Sequence, residues 1–197
     1  MEILGKIFGS AGRVKILRLF LLNKGKGFKV AEIAKRSRVA TNAVRRELRT
    51  LDKVGFARRK GTDWSFNSNF PYAAELEELL VNSDTIDHKE IGEDFRKTGR
   101  VKLLILSGIF IKNKDSRVDL LLVGERLKRA KIDEKIKKLE AEIGSELSYA
   151  VFDTKEFIYR LNMYDKLVRD VLDFPHVVLW GSRELSRELS TQAPKKA

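Results

Sequence analysis

Apolar residues recur at helical intervals through the first seventy positions. Ser10 precedes Val14, Ile16, Leu17, Leu19, Phe20 and Leu21, a stripe that predicts a capped helix ending near Asn23. The stretch Lys24 to Gly27 breaks it. Val30, Ile33 and Ala34 then predict a short second helix with Glu32 near its start, followed by the polar turn Ser37-Arg38-Val39 and a third helix from about Thr41. In that third helix Val44, Leu48, Leu51 and Val54 form the expected buried face, which leaves Asn42, Arg45, Arg46 and Arg49 pointing elsewhere. Gly55 ends the helix, and Phe56 to Phe66 alternates around a Gly-containing turn, the pattern of a two-stranded hairpin.

After Pro71, Leu76, Leu79 and Leu80 mark an amphipathic connector from Ala73 to Val81, expected to run on through a break near Asn82-Ser83-Asp84. The same stripe suits pairing with a second copy or packing within the chain, and a homodimer is the expectation. From Lys102 the period changes. Leu103 to Leu106 and Val118 to Val123 are dense apolar runs that suit buried strands. A Lys- and Glu-rich helix over 127–143, a strand over 147–152, a helix from Thr154, a helical set at Leu167, Val168, Val171 and Leu172, and a closing strand over 177–181 follow. The predicted fold class is α/β (α+β), divided into 1–70, connector helices 71–99, an α/β domain 100–181 and a loose tail 182–197.

Composition narrows the chemistry. The chain has 197 residues, no Cys, and apolar runs far too short to span a bilayer, so a soluble cytoplasmic protein is expected, with no disulfide, thiolate metal site or catalytic cysteine. The net charge of +12 is lopsided. Residues 1–70 hold seventeen Lys and Arg against five Asp and Glu, and the remaining residues balance to zero. Clustered cations beside a neutral half are the pattern of a polyanion-binding module joined to another unit. The alternatives are a solvated basic surface and an anionic lipid surface.

Val30-Ala31-Glu32-Ile33-Ala34, then Ala43 to Leu51, then Gly55-Phe56, resemble the winged helix-turn-helix domains of ArsR-type and related regulators, over residues 10–70. The resemblance implies double-stranded DNA as partner, with Asn42, Arg45, Arg46 and Arg49 on the helix that enters the major groove and Arg58, Arg59 and Lys60 on the wing. For Asn42 a capping role on the third helix is the competing account. Trp64 is expected to pack in the hairpin rather than stack on bases.

Residues 100–181 resemble a minimal nucleotidyltransferase domain, on Gly108, on Ser116 to Gly124 and on Pro175 to Gly181. In active members a Gly-Ser pair contacts phosphate and two Asp residues separated by one position hold a divalent metal. This chain departs from that pattern, since Ile109 follows Gly108 and Arg117 stands at the first Asp position, leaving Asp119 alone. A lone carboxylate beside a guanidinium is a poor Mg²⁺ site. Gly108, Arg117 and Asp119 are therefore expected to be a vestigial nucleotide site, with Asp119 in an ion pair with Arg117 or a lysine. Asp153 is expected to serve a turn or a helix cap, and His88 and His176 to be surface or packing residues. No cofactor, no metal and no catalytic residue are expected. The expected function is a DNA-binding transcriptional regulator with an inactive nucleotidyltransferase-like sensing, dimerising or partner-binding domain. The alternatives are an active nucleotidyltransferase targeted by the winged helix, and a protein-interaction module of a toxin–antitoxin-like system.

Overall fold

The computed structural model describes residues 2–82, 87–113 and 116–192. They form a mixed helix-and-strand chain in two compact units, one of residues 1–86 with 136–146, the other of residues 87–135 with 147–197. The first unit runs α1 (Glu2–Ile7), α2 (Ala11–Leu22), β1 (Gly27–Phe28), α3 (Val30–Ser37), α4 (Thr41–Lys53), β2 (Ala57–Lys60), β3 (Asp63–Phe66) and α5 (Ala73–Glu77), with a wider helical turn over Glu78–Asn82. Ser10 caps α2 by accepting the Arg13 amide at 3.2 Å, and Arg38, in the left-handed region, ends α3. The strands form an antiparallel sheet in the order β1-β3-β2.

Ile16, Phe20, Phe28, Ile33, Val44, Leu48 and Phe56 close the core of this unit. Phe20, Phe28, Phe56 and Phe66 meet edge to face, which adds quadrupole attraction to area burial. Val54 departs from the expected buried face of α4. It is 59% exposed, because the helix ends at Lys53 and Val54 turns out of the core before Gly55. The connector stripe divides too, with Leu80 buried in this core and Leu79 exposed. Of the expected break after Val81, Ser83 and Asp84 lie outside the described residues.

The second unit runs α6 (His88–Arg96), β4 (Arg100–Leu106), a 3-10 turn (Gly108–Ile111), β5 (Leu120–Glu125), α7 (Arg129–Ile143), β6 (Tyr149–Phe152), α8 (Thr154–Asn162), α9 (Lys166–Asp173), β7 (Val177–Gly181) and α10 (Arg183–Gln192). Residues 136–143 of α7 belong to the first unit. The sheet order is β6-β5-β4-β7, with β5 and β6 parallel and the other pairs antiparallel. Leu103, Ile105, Leu121 and Val123 face Phe157, Leu161, Val168, Val171 and Leu185 on α8, α9 and α10. Leu104, Leu106, Leu120 and Leu122 are equally buried. Burial on both faces is why these strands read as unbroken apolar runs. Asp153 and Asp165 cap α8 and α9.

The tail expected to be loose from 182 onward is corrected over 183–192. That stretch is α10, held by the fully buried Leu185. Among the described residues no helix is long and apolar enough to cross a membrane.

Candidate nucleic-acid interface

Three buried residues orient α4. Val44, Leu48 and Leu51 recur at steps of four and three and seat one stripe of the helix in the core. Asn42, Arg45, Arg46 and Arg49, spaced by three, one and three, fall on the opposite side and are all exposed. Asn42 does not cap the helix, since the capping position is Ala40 and no side chain bonds the first turn there. Glu47, the one acid in the middle of α4, is engaged by Arg13 of α2 at 2.6 Å, and the same guanidinium donates to the Phe8 carbonyl at 2.9 Å. The outward face of α4 carries the three arginines and the amide, with exposed Asp52 near the helix end.

Arg58, Arg59 and Lys60 lie on β2 and are exposed. Strand alternation puts Arg58 and Lys60 on one face and Arg59 on the other. Arg59 donates from Nε to the Gly61 carbonyl at 2.9 Å, which ties its side chain over the turn. Gly61 has φ +62°, the left-handed geometry that the tight turn requires. Trp64 on β3 is half-buried against the core.

Sequence reasoning overestimated the charge available for a ligand. Lys24 pairs with Glu77, Lys15 with Glu142 at 2.9 Å, and Arg36 with Glu32 at 3.1 Å and Glu146 at 2.9 Å. Glu142 and Glu146 come from residues 136–146, a hundred positions downstream. Arg18 is 2% exposed and donates to the carbonyls of Leu80 at 2.6 Å and Glu142 at 2.9 Å. Burial pushes its guanidinium below its ordinary value, and the Glu142 charge opposes that shift. Asn23 bridges the carbonyls of Leu19 and Gly144 at 2.8 and 2.9 Å. These cations build the unit, whereas those on α4 and β2 do not.

In the second unit Gly108 and Asp119 come together and Arg117 does not join them. Asp119 Oδ1 accepts the Ile109 amide at 2.9 Å and Oδ2 accepts the Ser148 amide at 2.9 Å. Its backbone continues the same tie, accepting from the Ser107 amide and donating to the Ser148 carbonyl. A Cβ on Gly108, at φ +54°, would overlap Asp119 Oδ1, so the glycine makes room for the carboxylate. The expected ion pair with Arg117 is corrected. Arg117 meets Asp170 at 3.4 Å instead, while Asp119 turns each oxygen to a backbone amide. Among the described residues no group of three or more His, Asp and Glu is arranged to hold a metal ion. His88 opens α6, and His176 Nδ1 lies 2.9 Å from the Phe174 carbonyl. No family model matches this chain, and no curated protein or solved structure matches it.

Proposed function

We propose that the chain is a sequence-specific duplex-DNA-binding regulator whose first unit acts as a winged helix-turn-helix. One observation carries the reading. Asn42, Arg45, Arg46 and Arg49 share the exposed side of a helix whose other side is core, and exposed Arg58 and Lys60 stand on the hairpin that follows. A single helix fits the major groove, where arginine pairs with guanine and asparagine with adenine, while hairpin cations meet phosphates. The second unit enters this reading as a scaffold for sensing, pairing or partner binding. The commitment of Asp119 to backbone amides supports a non-catalytic role for the nucleotidyltransferase-like resemblance.

The test is selection from a mixed pool of genomic duplexes, followed by titration of the recovered fragment at several salt concentrations. Affinity should fall steeply with salt, and Arg45→Ala with Arg46→Ala should cost about 2–6 kcal/mol together if both read bases. Failure to retain any fragment, or equal binding by the double variant, would sink the reading. Incubation with a labelled nucleoside triphosphate and Mg²⁺ separates the enzyme alternative, which requires transfer of label that Asp119→Asn abolishes.

A further inference from the structure

The stretch 71–197 is neutral by composition, but its charge is not evenly arranged within the second unit. The loop ahead of β4 and the segment that leaves β5 are locked together at one end of the sheet. Arg100 pairs in register with Glu125, the Lys128 amide donates to the Thr98 carbonyl at 2.8 Å, and a Cβ on Gly99 would lie 2.8 Å from the Arg126 carbonyl. Residues 94–102 and 125–131 thereby bring eight Lys and Arg against two Asp and Glu, a local net charge of +6.

The acids nearby are already engaged. Glu125 accepts Lys102 at 2.7 Å and stands 3.6 Å from Arg100, and Asp94 takes Lys135 at 3.2 Å and Lys97 at 3.8 Å. Arg126, Lys128, Arg129 and Lys131 are exposed, and none of their side chains has an ion-pair or hydrogen-bond partner among the described residues. Three of these cations flank the start of α7, whose first turn contains no acid. Positive charge at the positive end of a helix is destabilising by about 0.3–1 kcal/mol per group. Arg126 adds to this cost by holding φ +51°, a conformation that glycine takes more cheaply. An anion placed at these exposed side chains would be attracted by them and by the helix start together.

We propose that Arg126, Lys128, Arg129 and Lys131 form a second polyanion-contact surface that binds the phosphate backbone of duplex DNA without reading sequence. The identity of the polyanion rests on the reading above, that α4 and its hairpin bind duplex. A membrane is a poorer fit, since Leu127 and Ala130 among these cations are not large exposed hydrophobics, and Trp180, which bonds the Val101 carbonyl at this end, has the Arg96 guanidinium over its ring at 4.2 Å. The surface supplies affinity and salt dependence, whereas α4 supplies choice of site.

The test compares the full chain with a variant carrying Ala at 126, 128, 129 and 131, on the selected duplex lengthened to about forty base pairs. Each lost phosphate contact lowers the slope of log affinity against log salt by about 0.9, so loss of two to four contacts lowers it by about 1.8–3.6. The second variant, Arg126→Lys with Arg129→Lys, keeps the charge and should keep the slope, which separates charge from misfolding. An unchanged slope and affinity in the alanine variant overturns the proposal. So does retention of duplex binding with loss of binding to a single-stranded RNA of equal length. The two readings fail separately: an inert Arg45 and Arg46 pair with a lowered slope in the alanine variant removes the groove helix and keeps this surface.

Discussion

Replacement of Asp119 distinguishes a structural clamp from the remnant of a metal site. Its two carboxylate oxygens hold the amides of Ile109 and Ser148, each at 2.9 Å, and so tie the turn after β4 to the start of β6. The Ile109 bond is part-buried, and a charged hydrogen bond of that kind is worth about 1.5–3 kcal/mol; the Ser148 bond is exposed and is discounted to about 0.5–1 kcal/mol, since water replaces the lost acceptor. Asp119→Ala should therefore cost about 2–4 kcal/mol, and Asp119→Asn about half of that, because one end of an amide donates where the carboxylate accepted.

The assay is urea unfolding followed by Trp180 fluorescence in a Trp64→Phe background, since the two tryptophans fall one in each unit. The midpoint of the second unit should drop by about 1–2 M. Gly108→Ala supplies the internal check. Its methyl group would overlap the carboxylate, so the double variant with Asp119→Ala should cost at least about 1 kcal/mol less than the sum of the singles. Strict additivity, or a loss under about 1 kcal/mol in Asp119→Ala, refutes the clamp. A midpoint raised by Mg²⁺ in the wild type but not in Asp119→Asn refutes it in favour of a metal role.

Three further outcomes follow from the packing and charges described. Gly144→Ala should destabilise the first unit by at least about 1–3 kcal/mol, because φ is +91° and the new Cβ would meet Arg18 C at 2.6 Å and Leu19 N at 2.7 Å; an unchanged urea midpoint counts against this packing. Arg18→Met should cost about 2–4 kcal/mol, since it leaves the Leu80 and Glu142 carbonyls without their donor; a neutral result would show that water reaches them. Both variants lie in the first unit and are followed by Trp64 fluorescence in a Trp180→Phe background. The Lys102 ammonium holds the Glu125 carboxyl below its usual range, and Glu125 and Glu184 hold Lys102 above its own. The Glu125 contribution is complete above about pH 4.3 and is lost as pH falls through its lowered value, whereas that of Lys102 is complete below about pH 10.4 and is lost as pH rises through its raised value. Glu125→Gln should thus flatten the acid limb of the second unit's stability, and an unaltered limb contradicts the pairing.

Local pattern made much of this chain legible. The α2, α3 and α4 helices, the hairpin and most later elements follow from periods of 3.6 and 2, and the caps at Ser10 and Asp153 follow from residue type, because these signals act over a few neighbouring positions. The exposed α4 arginines were legible for the same reason: a helix that buries Val44, Leu48 and Leu51 must turn Arg45, Arg46 and Arg49 away. Long-range partnership was not legible. Residues 136–146 join a unit that begins more than a hundred positions earlier, bringing Glu142 and Glu146 to Lys15 and Arg36. Tertiary structure likewise gave Asp119 to backbone amides rather than to Arg117, and joined residues 94–102 to 125–131 into one basic end inside a half whose total charge is zero. A sequence fixes how many charges a chain carries and what each neighbour favours. Which charges cancel depends on separations of a few ångströms, because Coulomb energy follows distance in space and not along the chain.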